Sequence, residues 1–409
     1  MTTENQTCLI IGASHAGAQL AQSLRKEGWQ GNITVIGDEE AYPYHRPPLS
    51  KALLMGEKTA DQIDIFKAAV YEKANINFML GTRVETLDRA NQQITLTNGE
   101  TLSYDKLALC TGARVRKLAI PGSELKGVHY LRTLADAQAI QAEVKPGGRA
   151  VIVGGGYIGL ETAASLRKLG MEVTVLEMMH RVLERVTAPE LSDFYTELHT
   201  SHGVKIITDA QALELKGTDG RVSQVVCNND LTLDADMAII GIGVIPNTEL
   251  AEAAGLEIEN GVVVNEFACT SDPNILAAGD CTFHPNNVLG FNLRLESVPN
   301  AMEQARTAAA TICGNTKAYH ALPWFWSDQY DIKLQIAGFN KGYDNVVLRG
   351  EPSVHQFVAW YLKGDKILAA DCINSPKEFM LAKKLIGQQV SASQDQLADV
   401  DFDLNTLTA

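Results

Sequence analysis

The sequence contains no cysteine pair spaced as Cys-x-x-Cys, although it has seven cysteines. They are scattered along the chain between Cys8 and Cys372. A redox dithiol beside a flavin, an iron–sulfur centre and the disulfide framework of a secreted protein all require paired or clustered thiols. The spacing therefore excludes these arrangements and predicts small, reduced core residues, no metal site and a cytoplasmic protein.

Long apolar runs and an excess of positive charge are also lacking. No stretch approaches the roughly 18 apolar residues that a membrane-spanning helix needs, and residues 1–6 lack the features of a secretory signal. Lys and Arg total 35 against 49 Asp and Glu, a net charge of −14. Binders of nucleic acid or anionic membranes need a basic surface, so we expect neither kind of partner.

A glycine-containing pattern occurs twice in the chain. Gly12, Gly17 and Gly28 recur 142 residues later as Gly154, Gly159 and Gly170. Each copy predicts a buried strand, a tight turn and a helix; the segments are 7–11, 16–26 and 32–36 in the first copy, and 150–153 and 172–176 for the strands of the second. This is the dinucleotide-binding fingerprint. Two copies suggest two dinucleotides held face to face, as electron transfer between them requires.

The second loop has glycine at every fingerprint position: Gly154 for the turn, Gly156 for approach to a pyrophosphate, and Gly159 for helix packing. Glu177 follows the next strand, where a carboxylate binds the adenosine ribose and disfavours a 2′-phosphate; a solvated glutamate is the alternative. Arg181 and Arg185 either weaken the preference for NAD, contact the cofactor phosphates, or are surface residues. The candidate NADH-binding residues are Gly154, Gly156, Tyr157, Ile158, Gly159, Glu177, Arg185 and Gly243.

The first loop departs from the pattern. Ser14 takes the second glycine position, where a serine is tolerated if its backbone angles are ordinary. His15 either faces the pyrophosphate or simply enters the helix. Gly37 stands where the acid is expected, so we assign the ribose to Asp38, with Glu39 as the alternative.

Four further runs carry a resemblance to a known family. They are Pro-Tyr-His-Arg-Pro-Pro-Leu-Ser-Lys at 43–51, Gly279-Asp280, Glu-Ser-Val-Pro-Asn-Ala-Met-Glu-Gln-Ala at 296–305, and Pro-Trp-Phe-Trp-Ser-Asp-Gln at 323–329. With the two loops they resemble the FAD-dependent, NADH-using ferredoxin reductases that serve oxygenases, from about Thr7 to Gly338. Single motifs are shared with rubredoxin reductases and apoptosis-inducing factor, and the Trp-Ser-Asp-Gln run narrows the match.

The resemblance implies an α/β fold like that of glutathione reductase, with two Rossmann-like dinucleotide-binding domains and a C-terminal α+β domain. The strand that ends in Gly279-Asp280 returns to the first domain, and the composition changes near Pro323. We therefore predict an FAD domain at 1–113 and 249–322, an NADH domain at 114–248 and a C-terminal domain at 323–409.

The resemblance also implies three catalytic residues. Lys51 lies beside the hydride-accepting nitrogen of the flavin, Glu161 pairs with Lys51, and Trp326 lies against the isoalloxazine. Taken without the resemblance, Lys51 is a solvated lysine, Glu161 a surface helix residue and Trp326 a core tryptophan.

Further FAD contacts follow from the same resemblance. Arg46 binds the pyrophosphate, for which a guanidinium is well shaped. Asp280 accepts a hydrogen bond from the ribityl chain, and Val298 offers backbone to the pyrimidine end. The candidate FAD-binding residues are Gly12, Ser14, His15, Ala16, Gly17, Asp38, Arg46, Lys51, Thr111, Gly112, Ala113, Arg132, Gly279, Asp280, Val298 and Trp326.

The implied activity is NADH oxidation, with electrons passed singly through FAD to a small iron–sulfur ferredoxin, expected to be of the two-iron type, that feeds an oxygenase. We expect a monomer or weak dimer whose local basic residues, such as Arg306, Lys383 and Lys384, receive the ferredoxin. The alternatives are a rubredoxin or monodehydroascorbate-type reductase, or a flavoprotein like apoptosis-inducing factor, which would carry a targeting segment or a long basic insertion.

Overall fold

The computed structural model describes residues 4–228 and 230–408. Over these residues the helices are α1 (His15–Lys26), α2 (Ala68–Lys73), α3 (Leu134–Glu143), α4 (Tyr157–Lys168), α5 (Pro189–Ser201), α6 (Glu249–Ala253), α7 (Val298–Ile312), α8 (Pro376–Gly387) and α9 (Gln394–Ala398). Short 3-10 helices lie at Pro47–Ser50, Ala60–Ile63, Pro352–Val354 and Leu404–Leu407.

The strands are short. They are β1 (Thr7–Ile11), β2 (Asn32–Ile36), β3 (Ile76–Met79), β4 (Val84–Asp88), β5 (Gln93–Leu96), β6 (Thr101–Ser103), β7 (Lys106–Leu109), β8 (Ala113–Val115), β9 (Val128–Tyr130), β10 (Arg149–Val153), β11 (Glu172–Leu176), β12 (Lys205–Ile207), β13 (Ala212–Thr218), β14 (Arg221–Cys227), β15 (Thr232–Asp234), β16 (Met237–Ile240), β17 (Val244–Pro246), β18 (Val262–Val263), β19 (Ile275–Ala277), β20 (Thr282–Asn286), β21 (Phe291–Leu293), β22 (Trp324–Gln329), β23 (Ile332–Gly338), β24 (Asn345–Glu351), β25 (Gln356–Lys363) and β26 (Lys366–Ile373).

Two compact units divide the chain. The first consists of Met1–His45, Asp61–Arg114 and Ile245–Phe325. The second consists of Arg46–Ala60, Val115–Val244 and Trp326–Ala409. The first unit thus includes residues 245–325, which contain the strand that we predicted to return to the first domain. Segment 46–60, which we predicted within the first domain, groups with the second unit, as do the predicted NADH and C-terminal domains. The four predicted domain ranges remain a prediction.

The first unit is built on a parallel sheet of order β19-β7-β1-β2-β3. Alternate residues of β1 enter different cores: Cys8 and Ile10 pack with helices α1 and α7, while Leu9 and Ile11 face the opposite core. Both faces are covered, so the strand is apolar throughout. Because β7 and β2 lie on opposite sides of β1, the loop after β1 lies at a switch in strand order, where α/β sheets bind ligands.

The second unit repeats this arrangement. Its parallel sheet has the order β12-β11-β10-β16-β9. Val153 at the end of β10 pairs with Leu176 and Ile240, as Ile11 pairs with Ile36 and Leu109 in the first unit. The sequence repeat is therefore also a structural repeat, with each glycine loop at the corresponding switch in strand order.

The chain after residue 323 forms a different sheet, of order β22-β23-β26-β25-β24. The pairs of β23 with β26, β26 with β25 and β25 with β24 are antiparallel, and α8 packs on β23 and β26. The predicted fold class, two Rossmann-like units and a C-terminal α+β part, is confirmed.

Within residues 4–228 and 230–408, none of the helices combines the length and apolarity needed to cross a bilayer.

One carboxylate is buried in the C-terminal sheet. Asp371 on β26 is 1% exposed. Its Oδ2 accepts hydrogen bonds from the hydroxyls of Tyr361, at 2.6 Å, and Thr187, at 2.7 Å. Burial raises the pKa of Asp371 to about 6, against the opposing effect of these two hydrogen bonds. The folded protein therefore holds a proton at Asp371 between about pH 4 and 6 that the unfolded chain releases.

We expect Asp371→Asn to remove a pH-dependent loss of stability. A raised carboxyl pKa stabilises the fold at low pH, and this contribution disappears as the pH rises through 6. The stability of the variant relative to wild type, measured as the difference in free energy of unfolding, should therefore be about 2 kcal/mol higher at pH 7.5 than at pH 4.5. Urea unfolding at both pH values measures this, with exposed Asp365→Asn as the control. An equal difference at both pH values would contradict the prediction.

Candidate functional site

The first glycine loop joins β1 to α1 and leaves no room for side chains at two positions. Gly12 has φ +116°, and a Cβ there would lie 2.0 Å from the carbonyl oxygen of Cys110. A Cβ on Gly17 would lie 2.0 Å from the oxygen of Gly12. Ser14 between them is extended, with φ −130° and ψ −155°, so the backbone condition for a serine is met.

The second loop, between β10 and α4, shows the same close approaches. Gly154 has φ +114°, and its added Cβ would lie 2.3 Å from the oxygen of Gly241. A Cβ on Gly159 would lie 2.1 Å from the oxygen of Gly154. Gly156 differs, because among the described residues its added Cβ would meet no neighbouring atom within 4 Å. The fold requires Gly154 and Gly159, whereas Gly156 leaves open space that a pyrophosphate fits.

Both loops present the N-terminus of a 12-residue helix. The side chain of Ser14, the N-cap of α1, does not cap the first turn, and the N-cap of α4 is Gly156, which has no side chain. The N–H groups there, together with the helix dipole, favour an anion. Each loop therefore has the donors that a dinucleotide pyrophosphate needs.

The acid of the second loop is held by the loop itself. Glu177 accepts a hydrogen bond from the N–H of Gly155 at Oε2, 2.7 Å, and from that of Met179 at Oε1, 2.9 Å. Each carboxylate oxygen has a second lone pair. Glu177 is therefore oriented and still able to accept ribose hydroxyls, which remains its predicted role.

The first loop cannot carry an acid at the matching position for a steric reason. Gly37 follows β2 as Glu177 follows β11, and its added Cβ would lie 2.5 Å from the Cβ of Ala13. In the second loop Gly155 takes the place of Ala13, which makes room for Glu177. Of the two proposed substitutes, Asp38 is exposed, whereas Glu39 accepts a 2.5 Å hydrogen bond from the Tyr44 hydroxyl. This favours Asp38.

The arginines after Glu177 have different surroundings. Arg181 donates to the carbonyl oxygens of Thr187 and Glu184 and to the Ser192 hydroxyl, so it braces its own segment. Arg185 is exposed. Arg185 is thus the better candidate for a phosphate contact.

Lys51 and Glu161 form an ion pair within the second unit. Lys51 Nζ lies 2.5 Å from Glu161 Oε2, and both side chains are mostly buried, at 16% and 6% exposure. Pro47 and Pro48 begin the 3-10 helix that precedes Lys51, and Lys51 Nζ also donates to the Pro47 oxygen at 3.1 Å. The pair implied by the resemblance is therefore present, and its place beside a flavin remains a prediction.

Two serines that we did not single out from the sequence also bind Glu161. Ser50 Oγ donates to Oε2 at 2.6 Å, and Ser327 Oγ donates to Oε1 at 2.7 Å. Both belong to runs that carry the family resemblance, but nothing in their spacing connects them to Glu161. The signal available in the sequence was that Ser50 precedes Lys51 and Ser327 follows Trp326.

The candidate FAD residues of the first unit lie around its parallel sheet. The Thr111–Gly112 turn is held by Asn247, which accepts the Thr111 hydroxyl at its carbonyl oxygen and donates to the Thr111 oxygen. Gly279 has φ +91° and donates to Gln304 Oε1 at 2.8 Å. Asn247 and Gln304 are thus supporting residues that the sequence analysis missed.

The remaining candidates are distributed between the units. His15 is buried with its ring centroid 5.4 Å from that of His45, and Val298 is the first residue of α7. Arg46 donates through Nη1 to the Arg132 oxygen at 2.5 Å. The first unit holds Gly12, Ser14, His15, Ala16, Gly17, Asp38, Thr111, Gly112, Ala113, Gly279, Asp280 and Val298; the second holds Arg46, Lys51, Arg132, Gly154, Gly156, Tyr157, Ile158, Gly159, Glu161, Glu177, Arg185, Gly243 and Trp326.

Comparison with known proteins places these sites in context. Residues 6–305 match the family described as pyridine nucleotide-disulphide oxidoreductase, and residues 324–408 match the reductase C-terminal family. The chain is 43% identical to putidaredoxin reductase of Pseudomonas putida, over 99% of this chain and 97% of the relative. It is 38% identical to the ferredoxin–NAD(+) reductase component of the biphenyl dioxygenase system of Paraburkholderia xenovorans, over 98% of each.

A solved structure is equally similar. A chain in the crystal structure of the covalent putidaredoxin reductase–putidaredoxin complex superposes with a TM-score of 0.96 and is 43% identical, covering 99% of this chain and 98% of that one.

The two glycines of the second loop should respond differently to alanine. Gly156 has φ −80° and ψ 177°, which alanine adopts, so Gly156→Ala should keep the melting temperature. It should raise the dissociation constant for NADH at least about tenfold, roughly 1.4 kcal/mol, because the methyl occupies the space of the pyrophosphate. Calorimetry of binding and of unfolding measures both effects.

Gly159→Ala is the contrasting variant. Its methyl meets the Gly154 oxygen, so it should lower the melting temperature. Unchanged NADH affinity in Gly156→Ala would contradict the assignment of that open space.

Proposed function

Because the chain belongs to the pyridine nucleotide-disulphide oxidoreductase family, we propose that it is an FAD-dependent reductase that oxidises NADH and passes electrons to a ferredoxin of an oxygenase system. The observation that carries the proposal is the pair of glycine loops, each at the switch point of its own parallel sheet. Two dinucleotides in one chain suit electron transfer between them. The full-length relatives, a putidaredoxin reductase and a dioxygenase-system reductase, support the choice of acceptor.

The cysteines argue against disulfide chemistry despite the family's name. All seven are free, and none forms a Cys-x-x-Cys motif. Burial raises the pKa of Cys110 and of Cys281, the cysteines next to Thr111 and Asp280, which suppresses their thiolates. Electrons therefore leave for an acceptor outside the chain.

The residues of the first unit fit FAD. Gly12, Gly17 and the N-terminus of α1 would hold its pyrophosphate, Asp38 the adenosine ribose, Asp280 the ribityl chain and the first turn of α7 the pyrimidine end. The 15-residue α7 begins at Val298, so its N–H groups favour negative charge there. When bound, FAD accepts two electrons as hydride and gives them up one at a time.

The residues of the second unit fit NADH. The 154–159 loop would bind the pyrophosphate, Glu177 the ribose hydroxyls and Arg185 a phosphate. Glu161 keeps the Lys51 ammonium in a fixed position, and Lys51 would set the charge beside the hydride acceptor. A hydride donated by NADH would need no proton transfer by the protein, so no side chain has to act as a general acid or base.

We further propose that the partner is a two-iron ferredoxin that docks on local basic residues. The chain carries −14 overall, so an acidic ferredoxin would be repelled without them. Arg306 on α7 is about half exposed and pairs with Glu303. Lys384 on α8 is exposed and donates to the Thr408 hydroxyl at 2.8 Å. Both are surface cations that a partner carboxylate could reach.

Replacement of Glu177 should change the choice between NADH and NADPH. Glu177→Ala removes the ribose acceptor and the repulsion of a 2′-phosphate, so the ratio of kcat/KM for NADH over NADPH should narrow about tenfold, roughly 1.4 kcal/mol. Steady-state reduction of ferricyanide measures it. Glu177→Gln is the control for loop geometry, because its amide oxygen still accepts one N–H while the charge is lost. A ratio unchanged in both variants would remove Glu177 from cofactor selection.

Electron transfer to ferredoxin should fall as salt rises. Opposite local charges steer the partner, and the Debye length drops from ~10 Å at 0.1 M to ~3 Å at 1 M. With NADH and a two-iron ferredoxin, cytochrome c reduction should therefore slow with salt, while ferricyanide reduction changes far less. Arg306→Glu and Lys384→Glu should each raise the KM for ferredoxin several-fold and leave the KM for NADH unchanged.

The controls for this experiment separate docking from function. Lys205→Glu reverses an exposed charge on β12 and should behave as wild type. A ferredoxin rate that is independent of salt and of both reversals would place docking elsewhere. Failure to reduce ferredoxin, with rapid reduction of a rubredoxin instead, would replace the proposed acceptor.

A further inference from the structure

Glu161 is a buried carboxylate whose two oxygens are held by different parts of the second unit. It is 5% exposed. Oε2 accepts from Lys51 Nζ at 2.5 Å and from Ser50 Oγ at 2.6 Å. Oε1 accepts from Ser327 Oγ at 2.7 Å. A buried charge is costly unless its lone pairs are satisfied, so the Ser327 hydroxyl matters to the state of the whole pair.

The hydrogen bond from Ser327 is fixed in direction by a second layer of polar groups. Ser327 is fully buried, and its single hydroxyl proton is given to Glu161. Its oxygen therefore accepts from Gln329 Nε2, at 3.2 Å. That orientation of the amide turns Gln329 Oε1 toward His199 Nε2, at 2.7 Å, and this nitrogen must donate.

His199 fits the role of a neutral donor. It is fully buried on α5, and burial lowers its pKa to about 4. Its proton therefore lies on Nε2 near neutral pH, while Nδ1 faces the Tyr330 hydroxyl at 3.4 Å. From His199 through Gln329 and Ser327, every donor points toward Glu161.

This network orients Glu161 and does not conduct protons. A relay needs each member to accept a proton on one side and release one on the other. Hydroxyls and imidazoles do so readily, but the Gln329 amide has separate donor and acceptor atoms. It would have to become an imidic acid to pass a proton on. The chain of hydrogen bonds therefore acts through geometry and charge.

Strand β22 carries both Ser327 and Gln329 because its side chains point alternately to the two faces of the sheet. Ser327 and Gln329 are two residues apart and both buried, whereas Trp326, the residue before Ser327, is half-buried. Successive side chains of a strand point to opposite faces. One strand thus carries the hydroxyl that fixes Glu161 and, next to it, the indole that the resemblance assigns to the flavin.

We propose that Ser327, held by Gln329 and His199, is a positioning residue that sets how much of the Glu161 charge is directed at Lys51. The Ser327 hydroxyl donates a hydrogen bond to Glu161 Oε1 and so stabilises negative charge on that oxygen. Less of the carboxylate charge then faces Lys51, and the ammonium is less completely neutralised. This inference rests on the proposed function, since it takes Lys51 to act beside the flavin.

The test is the midpoint potential of the flavin in the purified holoprotein. Lys51→Met should lower the potential, because it removes a positive charge that stabilises the negatively charged reduced cofactor. Ser327→Ala should lower it by a smaller amount, because Glu161 then shields Lys51 more fully. Ser327→Thr, which keeps a hydroxyl, should restore it, and Ser375→Ala is the control at another buried serine of the second unit.

The double variant shows whether Ser327 acts through Lys51. Lys51→Met with Ser327→Ala should have the potential of Lys51→Met alone, since the Lys51 ammonium that Glu161 would shield is gone. Additive shifts, or a wild-type potential in Ser327→Ala, would overturn the inference. If Ser327→Ala yields no folded holoprotein, Ser327→Cys, whose thiol is a much weaker donor than the hydroxyl, should lower the potential in its place, and a wild-type value there would equally overturn the inference.

The outcome is separable from that of the proposed function. If Lys51→Met leaves the potential unchanged, the inference fails together with the role of Lys51, while NADH-dependent reduction of ferredoxin by the wild-type protein still tests the activity itself.

Discussion

The structure depends on a close main-chain approach that is made twice. The glycine that follows β1 or β10 donates its N–H to the carbonyl oxygen of the last residue of β2 or β11, Gly12 to Ile36 and Gly154 to Leu176. Its carbonyl oxygen then lies only 2.0 Å from the position of a Cβ on Gly17, or 2.1 Å from that of a Cβ on Gly159. Only glycine permits this approach, which aims the helix N-terminus at the switch point of the sheet. The dinucleotide sites follow from it.

Small exchanges of volume make the two loops different. Ala13 with Gly37 in the first unit corresponds to Gly155 with Glu177 in the second. The methyl group of Ala13 occupies the space that an acidic side chain at position 37 would need, and the missing methyl of Gly155 admits Glu177. The same backbone thus supports two recognition patterns for the adenosine ribose.

A single buried carboxylate connects three distant segments of the second unit. Glu161 lies on α4, the helix that begins at the second glycine loop, and it binds Lys51 and Ser50 from the 47–51 turn and Ser327 from β22. Since a buried charge must be fully paired, it holds the turn and the edge of the C-terminal sheet to that helix. This explains why the Arg46–Ala60 segment groups with the second unit.

The sequence by itself determined the local features of this protein. The strands β1, β2 and β11 begin and end at the predicted residues, and α1 begins one residue earlier than predicted. Steric rules for glycine and the period of apolar residues act over a few positions, so they are legible in one chain. The lack of a Cys-x-x-Cys motif is likewise legible without a structure.

Only the tertiary structure decided which polar groups meet. Lys51 and Glu161 are 110 positions apart, and their pairing was expected only from the family resemblance. Ser327 and Gln304, which are buried, and Asn247, which is half-buried, escaped prediction because single polar residues leave no periodic pattern. Their partners are set by how segments far apart in sequence pack, and for the buried Ser327 and Gln304 burial makes the hydrogen bonds obligatory.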